Sequence, residues 1–205
     1  MPDFVKMGLI LMVVGVVATT FLAMTDGATR EPIALAKRQE TLLALAEVVP
    51  GFDNDPAADS IQMTDPLLNR KGKPVTFYRA RKMGGDNVGV AFTVTAPDGY
   101  SGNIDIMLGV KTDGVLSGIK VLSHAETPGL GDKITLTNWP DAFKGKSLGT
   151  AKWAVKKDGG EFDQFAGATI TPRAVVGAVK RGLEYFEQHR DQLFTTAATT
   201  AGAKP

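Results

Sequence analysis

Asp163-Gln164-Phe165-Ala166-Gly167-Ala168-Thr169, followed directly by Ile170-Thr171-Pro172, is where the chain leaves a loop and enters its clearest helix. Val175, Val176, Val179, Leu183 and Phe186 recur at helical spacing and predict a helix over about residues 172–190. Thr171 reads as its N-cap and Pro172 as its first helical residue, because a proline there gives up only an N–H that no helical carbonyl would accept. A helix start supplies free N–H groups and a partial positive charge, which suits an anion such as a phosphate. Gly167 and Ala168 leave room for a bulky group to approach the backbone. On these residues alone two readings stand: a glycine turn ahead of a capped helix, or a hydroxyl-bearing loop beside an anion-binding helix end.

Working outward, residues 7–24 carry no charge and consist mostly of Val, Leu, Ile, Met, Gly and Ala. As a helix this stretch rises roughly 27 Å, close to the hydrocarbon thickness of a bilayer. A buried helix of a soluble core fits poorly, since the stretch is apolar on every face. A cleaved signal peptide fits less well than an uncleaved anchor, because Phe21-Leu22-Ala23-Met24-Thr25-Asp26 lacks a good small-x-small cleavage pattern. Lys6 precedes the stretch, while Asp26, Arg30 and Glu31 follow it. That bias favours a cytoplasmic N-terminus at residues 1–6 and a domain on the far side. Gly15, Thr19 and Ala23 would line one face, either for close helix approach or simply as ordinary membrane composition. With no ionisable residue in the anchor, a proton or sodium path must lie in other chains.

After the anchor about 180 residues remain, enough for one domain with a real core. Lys and Arg total 23 against 22 Asp and Glu, so no nucleic-acid footprint is visible. The absence of cysteine removes disulfides, thiolate-held iron–sulfur clusters and cysteine catalysis together. His124 and His189 are the only histidines, and no cluster has metal-ligand spacing. Residues 34–49 read as an amphipathic helix stopped by Pro50-Gly51, and residues 52–74 as loop. Strands are expected at 75–81, 88–95, 104–110 and 115–122, the last pair joined at Asp113-Gly114. The return strand delivers the chain into His124-Ala125-Glu126-Thr127-Pro128-Gly129-Leu130-Gly131, and loops at strand ends are where binding groups tend to sit. Residues 138–146 read as a short helix or loop and 153–156 as a short strand. The Ala/Thr-rich C-terminus lacks periodicity and reads as a disordered tail over 193–205.

The run from Asp163 to Thr169 resembles the flavinylation motif Asp-x-x-(Ser/Thr)-Gly-Ala-Thr of FMN-binding domains in the G subunit of the Rnf electron-transport complex. The same motif occurs in the related C subunit of the sodium-translocating NADH:quinone reductase. Asp163, Gly167, Ala168 and Thr169 match; Ala166 departs, losing one hydroxyl but not the acceptor. The segment from Glu126 to Gly131 resembles the family's Glu-Thr-Pro-Gly-Leu-Gly loop, and Trp139 and Asp158-Gly159-Gly160 extend the likeness. Two separate matches in the right order are far more specific than one.

The resemblance implies an α+β fold: a single N-terminal transmembrane helix, 7–24, followed by one FMN-binding domain, 25–192, with antiparallel strands and flanking helices. It implies FMN joined through its phosphate to Thr169 by a flavin transferase, with Asp163, Ala166, Gly167, Ala168 and Thr171 around the attachment. Glu126, Thr127, Gly129, Leu130 and Gly131 would approach the ring or ribityl chain, with His124 and Lys152 as weaker members. No catalytic residue and no metal are expected. The implied function is electron relay within an ion-translocating Rnf-type ferredoxin:NAD oxidoreductase. Its expected partners are other membrane subunits and inner-membrane lipid, with the domain periplasmic. The C subunit of the quinone reductase, or a non-redox anchored module that binds a phosphate-bearing ligand, are the alternatives.

Overall fold

The computed structural model describes residues 2–69 and 72–196. The chain divides into two compact units, Met1–Leu42 and Leu43–Pro205. Helix α1 (Asp3–Val48) supplies most of the first unit, and its last turn belongs to the second. It is the one described helix long and apolar enough to cross a membrane, and Phe4, Leu11, Phe21 and Met24 on it are exposed. The separate helices expected at 7–24 and 34–49 are thus one continuous helix, with Pro32 inside it. A proline removes one backbone hydrogen bond, a loss that a helix this long absorbs.

The second unit is built on a five-stranded antiparallel meander in sequence order. Its strands are β1 (Ser60–Met63), β2 (Val75–Arg81), β3 (Asn87–Ala96), β4 (Ile104–Lys111) and β5 (Leu116–Ser123). Four of these lie where the apolar alternation places them. β1 was expected to be loop: four residues carry too little pattern, and the strand is defined by its pairing of Ile61 with Phe77. The β4–β5 hairpin turns at Asp113-Gly114, where the Asp113 side chain accepts the Val115 N–H at 3.0 Å.

Ile104, Ile106, Leu108 and Val110 alternate along β4 and are fully buried. Helix α3 (Ile170–Thr195) covers that face with Val175, Val179, Leu183 and Phe186; the short α2 (Lys133–Leu136) lies in the connection between β5 and α3. A Cβ at Gly182 would stand 2.7 Å from Leu108 and 2.9 Å from Val94, so this glycine sets how closely helix and sheet approach. Phe77 stacks on Phe92 at 4.8 Å and on Tyr185 at 5.6 Å. Each such side chain contributes about 1.5–3 kcal/mol by burial. α3 starts two residues before the expected 172 and continues to Thr195, past the expected tail boundary at 193. Leu193 is fully buried, which explains the extension. The rest of the expected tail, 197–205, lies outside the described residues. At this end the buried Arg79 donates to the Thr196 carbonyl and pairs with Asp59, placing a cation at the negative pole of the helix.

The opposite face of the sheet receives the last turn of α1. Ala44, Leu45, Val48 and Val49 are buried there. The Ser117 hydroxyl donates to the Val48 carbonyl, and Lys120 pairs with Glu47. Gly109 and Gly118 are partners across β4 and β5 and form the landing place. A Cβ at Gly109 would overlap the Val48 carbonyl, whereas one at Gly118 would stand 3.5 Å from Val48. Gly109→Ala should therefore cost about 2–3 kcal/mol of unfolding free energy, through overpacking against backbone. Gly118→Ala should stay within about 0.5 kcal/mol. Urea unfolding of the full chain in detergent distinguishes the two; equal effects would contradict this packing.

Candidate functional site

The end of the sheet opposite the β4–β5 hairpin carries two loops. The 97–103 connection joins β3 to β4, and residues 124–131 leave β5; the pairs Ala96–Ile104 and Asp105–Ser123 hold these exits side by side. Between them and the start of α3 lies a cleft of about 240 Å³. It is bordered by Glu126, Thr127, Leu130 and Gly131 from one loop and by Gly167, Ala168, Thr169, Ile170 and Thr171 from the other. The two runs singled out in the sequence thus meet in one place. Larger clefts exist, including one of about 390 Å³ beside β5, but that one contains neither run. The residue chemistry, and not the volume, selects the site.

Thr169 is the N-cap of α3, yet its side chain makes no capping hydrogen bond. Its hydroxyl is therefore uncommitted at the mouth of a helix whose first-turn N–H groups lack helical acceptors. Thr171 was expected to be this cap and is instead inside the helix and buried. The reason is a distant partner: the Thr171 hydroxyl donates to Glu126 Oε2. The other oxygen of Glu126 accepts the Ser101 N–H at 3.0 Å. Among the described residues no lysine, arginine or histidine borders the cleft.

The approach to Thr169 is held from behind by an aromatic cluster. The Trp139 indole N–H donates to the Asp163 carbonyl at 2.7 Å, and its ring meets Phe165 edge-on at 5.7 Å. Phe162 stacks on Phe143 at 4.4 Å. A tight turn follows, closed by the Ala168 N–H on the Phe165 carbonyl, with Gly167 at φ +78°. The strand expected at 153–156 reduces to one parallel bridge, Val155–Phe162, with a 3₁₀ turn at Lys156–Asp158. Only Val155 is bridged; the chain bends at Ala154 and turns into the 3₁₀ segment at Lys156, so no strand can extend. Arg173, in the first turns of α3, clasps Asp158 at 2.7 and 2.9 Å and holds that carboxyl below its usual range.

Several expected site residues fall outside the cleft. The Asp163 carboxylate pairs with Lys156 at 2.7 Å and is exposed. Ala166 is exposed in the turn, and Gly129 lies on an exposed turn at φ +76°. Lys152 is exposed and donates its backbone N–H to Glu161 at 3.2 Å. His124 works within the protein. Its Nδ1 accepts the Glu126 N–H at 3.2 Å, and its Nε2 faces the Thr135 hydroxyl at 3.4 Å. That hydroxyl also donates to the Asp132 carbonyl at 2.8 Å. Tyr100 and Ile170 border the cleft and were not anticipated. The signal for Tyr100 was an aromatic in a Gly-rich connection at a strand end, with its ring largely exposed.

Comparison with known proteins bears on this site. The FMN-binding domain family matches residues 99–184, which span every residue bordering the cleft. The crystal structure of Shewanella oneidensis NqrC superposes with a TM-score of 0.52 at 26% identity, covering 71% of this chain and 75% of that one. The G subunit of the ion-translocating oxidoreductase complex of Aliivibrio fischeri strain MJ11 is 44% identical over 199 residues, 93% of either chain. Its namesake in Cereibacter sphaeroides strain ATCC 17023 is 45% identical over 193 residues, 91% of this chain and 85% of the relative. The Pseudomonas aeruginosa strain UCBPP-PA14 protein of that name is 43% identical over 198 residues, 93% of this chain and 92% of the relative. With likeness of this degree along nearly its whole length, the chain belongs to the family of G subunits of ion-translocating oxidoreductase complexes.

Proposed function

We propose that this chain is a membrane-anchored flavoprotein that relays electrons within an Rnf-type ion-translocating complex, with FMN joined by its phosphate to Thr169. The observation that carries the reading is the convergence of both runs on one cleft, with an uncommitted threonine hydroxyl at the helix start. FMN accepts electrons singly or in pairs, and that redox chemistry is the cofactor's own.

The residues present fit that group. Thr169 offers the ester oxygen. The free N–H groups of the first turn of α3 face the place where phosphate charge would sit. A Cβ at Gly131 would enter the cleft wall, 2.7 Å from Glu126 and 2.8 Å from Thr171. Thr127 can hydrogen-bond to ribityl hydroxyls, while Leu130, Ile170 and Tyr100 offer partly exposed apolar surface for an aromatic ring. The cleft is smaller than the common ligand-pocket range of about 300–1,000 Å³. It suits one end of FMN, with the remainder against that rim. Among the described residues no cationic side chain borders the cleft, which supports a covalent link, because a free phosphate would have only the partial charge of the helix start to hold it.

On this reading the protein sits in the inner membrane beside the other members of the complex, N-terminus cytoplasmic and domain periplasmic; Lys6 before the apolar stretch and Asp26 and Glu31 after it support that orientation. A flavin transferase acts on it during maturation. The anchor has no ionisable residue between Met7 and Met24, so the ion path belongs to partner chains.

Intact-protein mass spectrometry of the chain co-expressed with its transferase should show a mass increase equal to FMN less one water. Thr169→Ala should abolish it with stability changed by less than about 1 kcal/mol, since a loop-end hydroxyl contributes little burial. Thr169→Ser should retain part of it. Covalent flavin persisting in the alanine variant would overturn the assignment. Flavin lost from the wild type on denaturation would favour a non-covalent phosphate-ligand module.

Topology has its own test. Protease added to intact spheroplasts should digest the chain beyond Arg30, and a detergent-opened sample should show no additional cleavage of the domain. Protection that ends only when the membrane is opened would reverse the orientation.

A further inference from the structure

We propose that Glu126 is a positioning residue and not a flavin ligand: its carboxylate ties three segments into one frame that holds Thr169 at the cleft. The proposal rests on the reading of Thr169 as the attachment site.

Glu126 is 5% exposed, and both of its oxygens are used within the protein. Oε1 accepts the Ser101 N–H at 3.0 Å, from the connection between β3 and β4. Oε2 accepts the Thr171 hydroxyl, from the first turn of α3. Its own backbone N–H donates to His124 Nδ1 at 3.2 Å. The three segments are remote in sequence, and the carboxylate hydrogen-bonds from its own loop to the other two.

The space around the carboxylate is shaped to it. A Cβ at Gly99 would meet the Gly102 carbonyl first and would also stand 2.9 Å from Oε1, and one at Gly131 would stand 2.7 Å from Oε2 and 2.8 Å from the Thr171 oxygen. Glycine at both positions leaves room for the carboxylate and its two donors. Thr171 lies two residues after Thr169 on a hydrogen-bonded helix, so fixing one fixes the other. A carboxylate is also the wrong partner for a phosphate, since both are negative acceptors. Its fitting partners are the N–H and hydroxyl it already holds.

Glu126→Ala, Glu126→Gln, Thr171→Val, Thr171→Ser and the double variant Glu126→Ala/Thr171→Val test this in the full chain in detergent. The first readout is hydrogen exchange of the unmodified protein in peptides covering 97–103 and 167–173. The second is the rate of Thr169 modification by the transferase, read by intact mass, with circular dichroism to report folding. Glu126→Ala should raise exchange in both peptides and slow modification about ten-fold, the factor a lost charge-assisted hydrogen bond produces. Thr171→Val should match it at 167–173. The double variant should be no worse than the more affected single variant, because both remove one interaction. Glu126→Gln should keep most of the wild-type behaviour, its carbonyl taking the Ser101 N–H and its amide turned to the Thr171 hydroxyl oxygen. Thr171→Ser should behave as wild type.

Unchanged exchange in Glu126→Ala, or multiplying effects in the double variant, would overturn the proposal. So would a slow Glu126→Gln beside a normal Thr171→Val, which would point to Glu126 acting on the flavin itself. If Glu126→Ala fails to fold, the glutamine and valine variants decide by the same criteria. A wild type that is never modified at Thr169, with the exchange effects intact, would remove the attachment reading and leave the frame standing.

Discussion

The seating of α3 on β3 and β4 sets where the cleft can be. Gly182 lets the helix axis come down onto Leu108 and Val94. Val175, Val179, Leu183 and Phe186 then bury one continuous stripe against the sheet. Arg79, itself paired with Asp59, donates to the Thr196 carbonyl at the far end of the helix, so the helix cannot slide along its axis without breaking that hydrogen bond. Its first turn is thereby delivered to the sheet end where β3, β4 and β5 release their loops. Thr169 reaches the cleft through packing several helical turns away, and the local loop only completes the placement.

Much of this was legible in the sequence where local pattern and tertiary role agree. The alternation of Ile104, Ile106, Leu108 and Val110 marks a strand because the same residues face the helix. The α3 stripe was readable for the matching reason. What failed to show depends on partners remote in sequence. β1 is a strand only because β2 lies beside it. Arg30, Glu31 and Pro32 look like a break between two helices, yet α1 runs through them. Thr169 and Thr171 are equally good caps by composition. Only the Glu126 carboxylate, forty-five positions earlier in the chain, decides which hydroxyl is taken and which is left. Arg79 sits in a strand pattern where a charge reads as solvent-facing, and its burial follows from the Asp59 carboxylate and the helix end that it meets.

The site residues divide the same way. The motif run names a segment, but the fold assigns different work to its members. Asp163 gives its carbonyl to Trp139 and its carboxylate to Lys156, so it shapes the approach from outside the cleft. Ala166, where the related motif has a hydroxyl, is exposed in the turn. Tyr100 escaped notice because it belongs to neither run and comes near them only through strand pairing.

The charge pattern of the cleft links this geometry to attachment chemistry. Phosphate sites that hold a free ligand usually combine helix N–H groups with Lys or Arg. Here the helix start is present, no cation borders the cleft among the described residues, and a buried carboxylate stands within the same wall. Such a wall opposes a free phosphate dianion. On the proposed attachment, a diester to Thr169 would carry one negative charge instead of two, and a bond would retain it whatever the local field. Retention by a bond also frees the rest of the cleft from having to supply affinity. Tyr100, Leu130 and Ile170 can then stay partly exposed around the opening, where a ligand held only by contacts would need them closed over it. An open rim of this kind leaves an electron carrier reachable from outside the domain, as a relay inside a larger assembly requires.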